Sequence, residues 1–240
     1  MNAMRKYPMI LGLTALIAGA LYAGCLDSAS ALYASGARDY DSISLCRAID
    51  VAAACPVSKS LDKFAADLIV GRAYWRLQLI AYCRKDREGI ERYGMRAQKA
   101  LNQADKHSAG AYEIWQCRAF VYMLMADLGG IRFGAVYGPK IAQARDAMNR
   151  LRPLAFESRL VTAVSVLTAP SFAGGNVRKG MDSLLALSRE YPDSIEVNMQ
   201  LASGYIMLKR ADDAQRELSA VLAQNPRHLL AAETLRNIGR

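Results

Sequence analysis

The 240-residue sequence predicts an all-α protein whose helices pair into antiparallel hairpins and stack in a right-handed superhelical solenoid, and three observations carry that expectation. Pro192, in Glu190-Tyr191-Pro192-Asp193, recurs as Pro226, in Gln224-Asn225-Pro226-Arg227, at the spacing of one helical-hairpin repeat. Hydrophobic residues make up 52% of the chain, with Ala and Leu throughout and few of the period-two runs of Val, Ile and Thr that strands need. Apolar positions recur at helical spacing along nearly all of the chain after residue 60.

Residues 1–24 have the layout of a secretory signal. Arg5 and Lys6 precede an uncharged apolar stretch from Tyr7 to Gly24, and no acid occurs before Asp27. The stretch ends Leu21-Tyr22-Ala23-Gly24-Cys25, which resembles a bacterial lipobox and marks the Cys25 sulfur for lipid attachment. Ala29, Ser30 and Ala31 offer an alternative cleavage site, and an apolar run of about 18 residues is marginally long enough to span a bilayer. Each outcome puts the body outside the cytoplasm. Residues 25–40 are expected to be a tether, and 41–240 the helical domain, with Ala29 to Ala54 its first helix up to Cys55-Pro56.

Leu61 to Cys83 reads as a long amphipathic helix, followed by Glu88 to Ala104 and Ala111 to Leu128, joined at Asp105 to Gly110. Lys140 to Leu151 and Ala155 to Thr168 form the next pair, broken at Pro153. From Val161 to Pro192 the repeat is degenerate, because Ala169-Pro170-Ser171-Phe172-Ala173-Gly174-Gly175 interrupts it. The last unit, Ile195 to His228, is regular. The shift that superposes Pro192 on Pro226 also superposes Gly180 on Ala214, Leu184 on Leu218 and Leu187 on Val221, the small and apolar positions of a second helix. That length and pattern resemble the tetratricopeptide (TPR) unit of about 34 residues, in which a small residue sits where two helices cross and a proline ends the second helix.

The formal charge is +9, and removal of residues 1–24 leaves +7. The charges are interspersed, as in Arg84, Lys85, Arg87, Arg92 and Arg96 among Asp86, Glu88 and Glu91, so they read as solvated helix faces and not as a nucleic-acid footprint. Cys46, Cys55, Cys83 and Cys117 allow three pairings that spacing does not choose between; as small buried hydrophobes they need no pairing, and no Cys-x-x-Cys occurs to suggest a metal site. His107 and His228 fall in polar connections and read as solvated loop residues. Gly129-Gly130 and Gly174-Gly175 lack the Lys of a phosphate loop and read as turns. Tyr74-Trp75 and the aromatics from Trp115 to Tyr122 read as core.

No catalytic constellation, cofactor motif or metal site emerges, so the expected role is binding and not catalysis. In a stacked array the first helix of each hairpin lines the concave face, which places Glu196, Met199, Ser203, Ile206 and Met207 from the last unit, and Thr162, Ser165 and Ala169 from the one before it, on a candidate binding surface. A methionine-rich surface of low charge suits an apolar helix or a small ligand.

From about Ile43 onward the order of features resembles the T component associated with tripartite (TRAP) transporters, the TatT-like family of exported TPR lipoproteins. The likeness lies in Gly71-Arg72-Ala73-Tyr74-Trp75, Ala100-Leu101, Glu113-Ile114-Trp115-Gln116-Cys117, Asp127-Leu128-Gly129-Gly130, Lys140-Ile141, Ala169-Pro170 through Asn176, and the final repeat. The resemblance implies a periplasmic, membrane-anchored scaffold that associates with a solute-binding protein and holds a small apolar or carboxylate ligand. The rival expectation is a structural TPR lipoprotein serving envelope or outer-membrane protein assembly. Homo-oligomerisation is open on either expectation.

Overall fold

The first helix, α1 (Pro8–Asp39), stops because Tyr40 adopts a left-handed backbone conformation (φ 54°) and Asp41 caps the next helix, its carboxylate accepting from the N–H groups of Ile43 and Ser44. This computed structural model describes the backbone of residues 8–128 and 130–238, and side chains from residue 24 onward except 129, 131, 239 and 240. The helices that follow are α2 (Ser42–Ala54), α3 (Ser60–Cys83), α4 (Arg87–His107), α5 (Tyr112–Asp127), α6 (Gly130–Leu151), α7 (Phe156–Thr168), α8 (Val177–Glu190), α9 (Ile195–Met207), α10 (Ala211–Gln224) and α11 (Leu229–Ile238). A 3-10 turn, Ser171–Ala173, precedes α8, and no strand occurs among the described residues. The protein is all-α.

Two hairpins turn in the same way. Between α3 and α4, Lys85 is left-handed (φ 57°), its N–H reaching the Tyr82 carbonyl while the Asp86 N–H reaches Ala81. Between α9 and α10, Lys209 is left-handed (φ 59°), with Lys209 bonded to Ile206 and Arg210 to Tyr205. Each turn closes the last carbonyls of the preceding helix within a few residues, so the next helix folds straight back.

The repeat period is visible in the backbone. The N–H of Tyr191 bonds to Leu187 and that of Asn225 to Val221; Ser194 then bonds to Tyr191 and His228 to Asn225. Ser194 caps α9 through the Val197 N–H, and His228 caps α11 through the Ala231 N–H, at the same offset in both cases. Pro192 and Pro226 sit inside these turns, where a helix cannot continue.

Packing follows chain order. Each helix lies against the next, and α1, α3, α5, α7 and α9 also touch in succession. Close crossings depend on small residues. A Cβ on Gly180 of α8 would stand 2.7 Å from the Leu167 Cα of α7. Leu184, Leu187, Val197, Ala202, Ala214, Leu218 and Val221 form the largest buried cluster, which is the core of the regular repeats. Burial of one such leucine is worth about 2–3 kcal/mol.

The structure differs from the sequence expectation at several places. Ala29 to Ala54 is two helices, for the reason given at Tyr40. Residues 25–39, expected as a tether, are helical, and Ala29 is fully buried against Ala52 and Ile69, its small side chain allowing α1 to approach α2 and α3. Helix α6 begins well before Lys140, at Gly130, and runs through Pro139. The expected signal peptide, 1–24, falls outside the described side chains up to residue 23. Among the residues whose side chains are described, from 24 onward, no helix is long and apolar enough to cross a membrane.

The array also closes on itself. Helix α11 packs against α3, and Leu229 joins the cluster of Leu45, Ala73, Leu77 and Ile80 together with Tyr33 and Tyr40.

Candidate functional site at the meeting of the chain ends

The candidate concave-face residues do not form one surface. Met199 (6% exposed) and Ser165 (8%) are buried, Met199 within the main core cluster. Thr162 and Ser203 are half-buried and return their hydroxyls to their own helices, at Ser158 and Met199 carbonyls respectively. Thr162 also bonds to Asn149 of α6. Ile206 (40%) and Met207 (47%) are open to solvent, beside the exposed Leu208, at the end of α9. Glu196 is exposed and Ala169 half-buried. Helix-face counting placed Met199 and Ser165 too far outward, because α8 and α10 both pack on α9, and α6 and α8 both pack on α7.

Chemistry concentrates where the chain ends meet. Tyr40, at the end of α1, puts its hydroxyl 3.0 Å from Nε2 of His228, the cap of α11. The His228 Nδ1 accepts the Ala231 N–H at 3.1 Å, so the neutral ring carries its proton on Nε2 and donates it to Tyr40. The Asn225 side chain donates to the Arg38 carbonyl at 3.0 Å, and Arg227 faces Asp39 at 3.8 Å. His228 is therefore a buried structural residue and not the solvated loop residue expected from its polar surroundings. Burial, followed by the Arg76 charge, pushes its pKa below the ordinary 6.5, with Glu196 opposing.

Arg76 belongs to a stripe on α3, with Arg72 one turn before it. Its guanidinium lies 4.3 Å from the Trp75 ring, and Trp75 stacks on Phe120 of α5 at 4.9 Å. The Arg76 Nε is buried and has no hydrogen-bond partner. Neither Arg72 nor Arg76 is among the arginines that form ion pairs between described residues. Both bear electrostatically on Cys117 of α5, whose thiol burial nonetheless pushes up to about 12. By contrast Arg118, also buried, is satisfied by Asn102 and Asp105 at 2.9 and 3.0 Å.

The opposite face of α3 borders a groove of about 520 Å³. Helix α3 supplies Lys63, Asp67 and Tyr74, helix α4 Arg96, Lys99 and His107, and Cys55 closes one end. Ala52, Ala66, Val70 and Ala100 form its floor. His107 is half-buried at the end of α4, 3.7 Å from Asp67, and so is also more than a loop residue. The cations on this rim are mostly solvated.

The cysteines divide three ways. Cys25 and Cys55 form a disulfide with Cα atoms 6.0 Å apart, tying α1 to the end of α2. A sulfur so used carries no lipid thioether, so the disulfide and acylation of Cys25 are mutually exclusive states of one atom. Cys83 and Cys117 are free and buried, as expected of small hydrophobes, and Cys46 is free and exposed. Among the described residues no group of three or more His, Cys, Asp or Glu is placed to hold a metal ion.

No family model matches the chain, and no curated protein matches it.

Proposed function

We propose that the chain is a TPR-type helical scaffold, exported and membrane-tethered, that associates with a periplasmic solute-binding protein of a TRAP-type transporter and holds a small apolar or carboxylate ligand. The observation that carries the scaffold part is the recurrence of turn and cap after one repeat, Tyr191 with Asn225 and Ser194 with His228, on top of the matched core positions. Arrays of this kind bind through the faces of successive helices, and here α3 and α5 join their faces through Trp75 and Phe120. The transporter part rests on the resemblance of the residues from Gly71 to Trp75 and from Ala169 to Asn176. In this reading the protein positions a ligand and a partner and performs no covalent chemistry.

Tethering takes one of two forms. With Cys25 acylated the lipid is the anchor; with Cys25 bonded to Cys55 the apolar run from Tyr7 to Gly24 has that task.

Affinity capture of the tagged chain from its own cells, with mass spectrometry of the captured proteins and of the peptide containing Cys25, tests the proposal. A co-purifying periplasmic solute-binding protein supports it. Recovery of envelope-assembly proteins instead, or of the chain alone, overturns the transporter association. The mass of the Cys25 peptide, diacylated or linked to the Cys55 peptide, assigns the anchor.

A further inference from the structure

The groove between α3 and α4 ends where the chain enters the folded body. Helix α2 stops after Ala54, and the fold sets Cys55 beside Cys25 with Cα atoms 6.0 Å apart. Helix α1 folds back on α2 at Tyr40, so before Cys25 it continues past Cys55 toward Pro8, and the apolar run that precedes Cys25 leaves the body at this point. On either form of tether Cys25 is the first residue outside the bilayer, and Cys55 closes the end of the groove next to it. The turns before α3 and before α5 meet there, the Ser60 hydroxyl donating to the His107 carbonyl at 3.1 Å. Those turns present Lys59 and Lys106 to solvent, and Leu61, in the first turn of α3, is 72% exposed. Lys63 of α3 and Lys99 of α4 line the groove itself. None of the four lysines is among the residues that form ion pairs between described residues. Of the groove lining only Asp67 is acidic, and His107 answers it at 3.7 Å; Asp62 lies in the first turn of α3, where it favours the helix dipole.

We propose that this end of the body rests on the bilayer that holds the N-terminus and prefers an anionic one, with Leu61 dipping among the headgroups, Lys59, Lys63 and Lys106 on their phosphates, and one headgroup entering the groove as far as Lys99. Lysine suits the task. Its four-carbon stem follows an apolar wall while the ammonium reaches a phosphate oxygen as a mobile point charge. A floor of Ala52, Ala66, Val70 and Ala100 in a groove of about 520 Å³ leaves room for the glycerol beside that phosphate. Leu61 gains the same apolar burial on any bilayer, whereas the lysines gain only where the surface is negative, so charge decides which membrane is preferred. The inference deepens the tether of the proposed function and rests on it, naming the face of the body that meets the lipid.

The full-length chain is reconstituted into vesicles of phosphatidylcholine, alone or mixed with phosphatidylglycerol, and recovered by flotation. In a Cys46→Ser background, which removes the exposed free thiol, a fluorophore is attached through Leu61→Cys or, as a control, through Phe172→Cys, where the parent side chain is 93% exposed. Quenching by nitroxide-bearing lipid reads contact with the bilayer. The expected result at position 61 is quenching about threefold or more stronger in the mixed vesicles and weakened by added salt, with little at position 172. Lys63→Gln with Lys99→Gln should remove most of the preference for the mixed vesicles. Arg178→Gln with Lys179→Gln, the same loss of charge at the start of α8, should leave it. Equal losses from the two pairs would reduce the effect to net charge and overturn the docking face, as would equal quenching at 61 and 172. A label at 61 that stays in water, or is quenched alike in both vesicles, overturns the proposal while the tether stands. A chain that does not float overturns the tether, and the proposal with it.

Discussion

The Tyr40 hydroxyl stands 3.0 Å from Nε2 of His228, joining two residues 188 positions apart and fastening the last helix to the first third of the chain. The same imidazole caps α11 through Nδ1, so one ring serves closure and helix initiation together. The cap requires the neutral ring with Nδ1 unprotonated, whereas the Nε2–H bond to Tyr40 survives protonation of the ring.

Acid should therefore break the cap of α11 and put a charge into a buried site. The groups facing His228 are Tyr40 from the end of α1, Arg76 from α3 and Glu196 from α9. The folded pKa is depressed below 6.5, so the unfolded chain takes up a proton that the folded chain refuses. Stability is fully present above about pH 6.5 and falls as pH drops from there toward the folded pKa, below which the loss levels off. Thermal unfolding between pH 8 and pH 5 measures it. His228→Asn keeps a capping side chain and removes the titration, so its melting temperature should lose this pH dependence; an unchanged slope would assign the effect to another group.

Tyr40→Phe removes the hydroxyl and leaves the ring in the cluster of Leu45, Ala73 and Leu77. The expected loss is about 1 kcal/mol in chemical denaturation at pH 7.5. The loss should disappear in a His228→Asn background, because the two residues act through one bond; additive losses would show that they do not.

Two glycines should respond in opposite directions to alanine. Gly180→Ala drives a methyl into the Leu167 backbone at the α7–α8 crossing, where helices must move apart, and should cost about 1–3 kcal/mol. Gly134→Ala, on α6, meets nothing within 4 Å and should stabilise the protein by about 0.5–1 kcal/mol through helix propensity. Denaturation midpoints of the two variants decide, and a neutral Gly180→Ala would mean that the crossing is looser than described.

Gln78 is fully buried between α3 and α5, and its amide donates to the Val121 carbonyl at 3.4 Å while its own oxygen has no partner. Replacement of such a group by an apolar one of similar volume removes a desolvation cost of about 1–3 kcal/mol along with one long bond. Gln78→Met should be neutral or stabilising. A large loss of stability in urea would show that the amide is better satisfied than the static geometry indicates.

Reduction of the Cys25–Cys55 bond opens a loop whose ends are 30 residues apart in sequence. In the chain-entropy picture that is worth on the order of 3–4 kcal/mol. Cys55→Ser should lower the melting temperature of the non-reduced protein and have little effect once reductant is present. Equal melting temperatures with and without reductant in the parent chain would mean that the bond does not form.

The regular repeats were legible because their signals are local. Pro192 and Pro226 mark where helices stop, and Gly180, Leu184 and Leu187 repeat as Ala214, Leu218 and Val221 with the period of one hairpin. The front half of α6 was not legible, since Gly134, Gly138 and Pro139 each argue against a helix that packing against α5 sustains. The break at Tyr40 was hidden because a tyrosine carries no turn signal and only the Asp41 cap hints at it. His228 did carry a signal: it stands one repeat after Ser194, at the position that caps the next helix. Beyond the place of Arg72 in the Gly71 to Trp75 motif, nothing in the sequence singles out the arginines of the candidate site, since no pattern within one helix reveals that a partner is missing across the fold. Closure left no trace at all, because Tyr40 and His228 have no spacing rule that relates them.

An open stack of hairpins tolerates being lengthened, since each added unit finds the same neighbour as the one before. Here α11 must arrive at α3 with Leu229, Asn225 and His228 all in register. A hairpin duplicated between α8 and α9 would carry that end past its landing place and leave the Tyr40 cluster uncovered. Such a fold is counted rather than modular, and the number of its hairpins is constrained like the number of staves in a barrel.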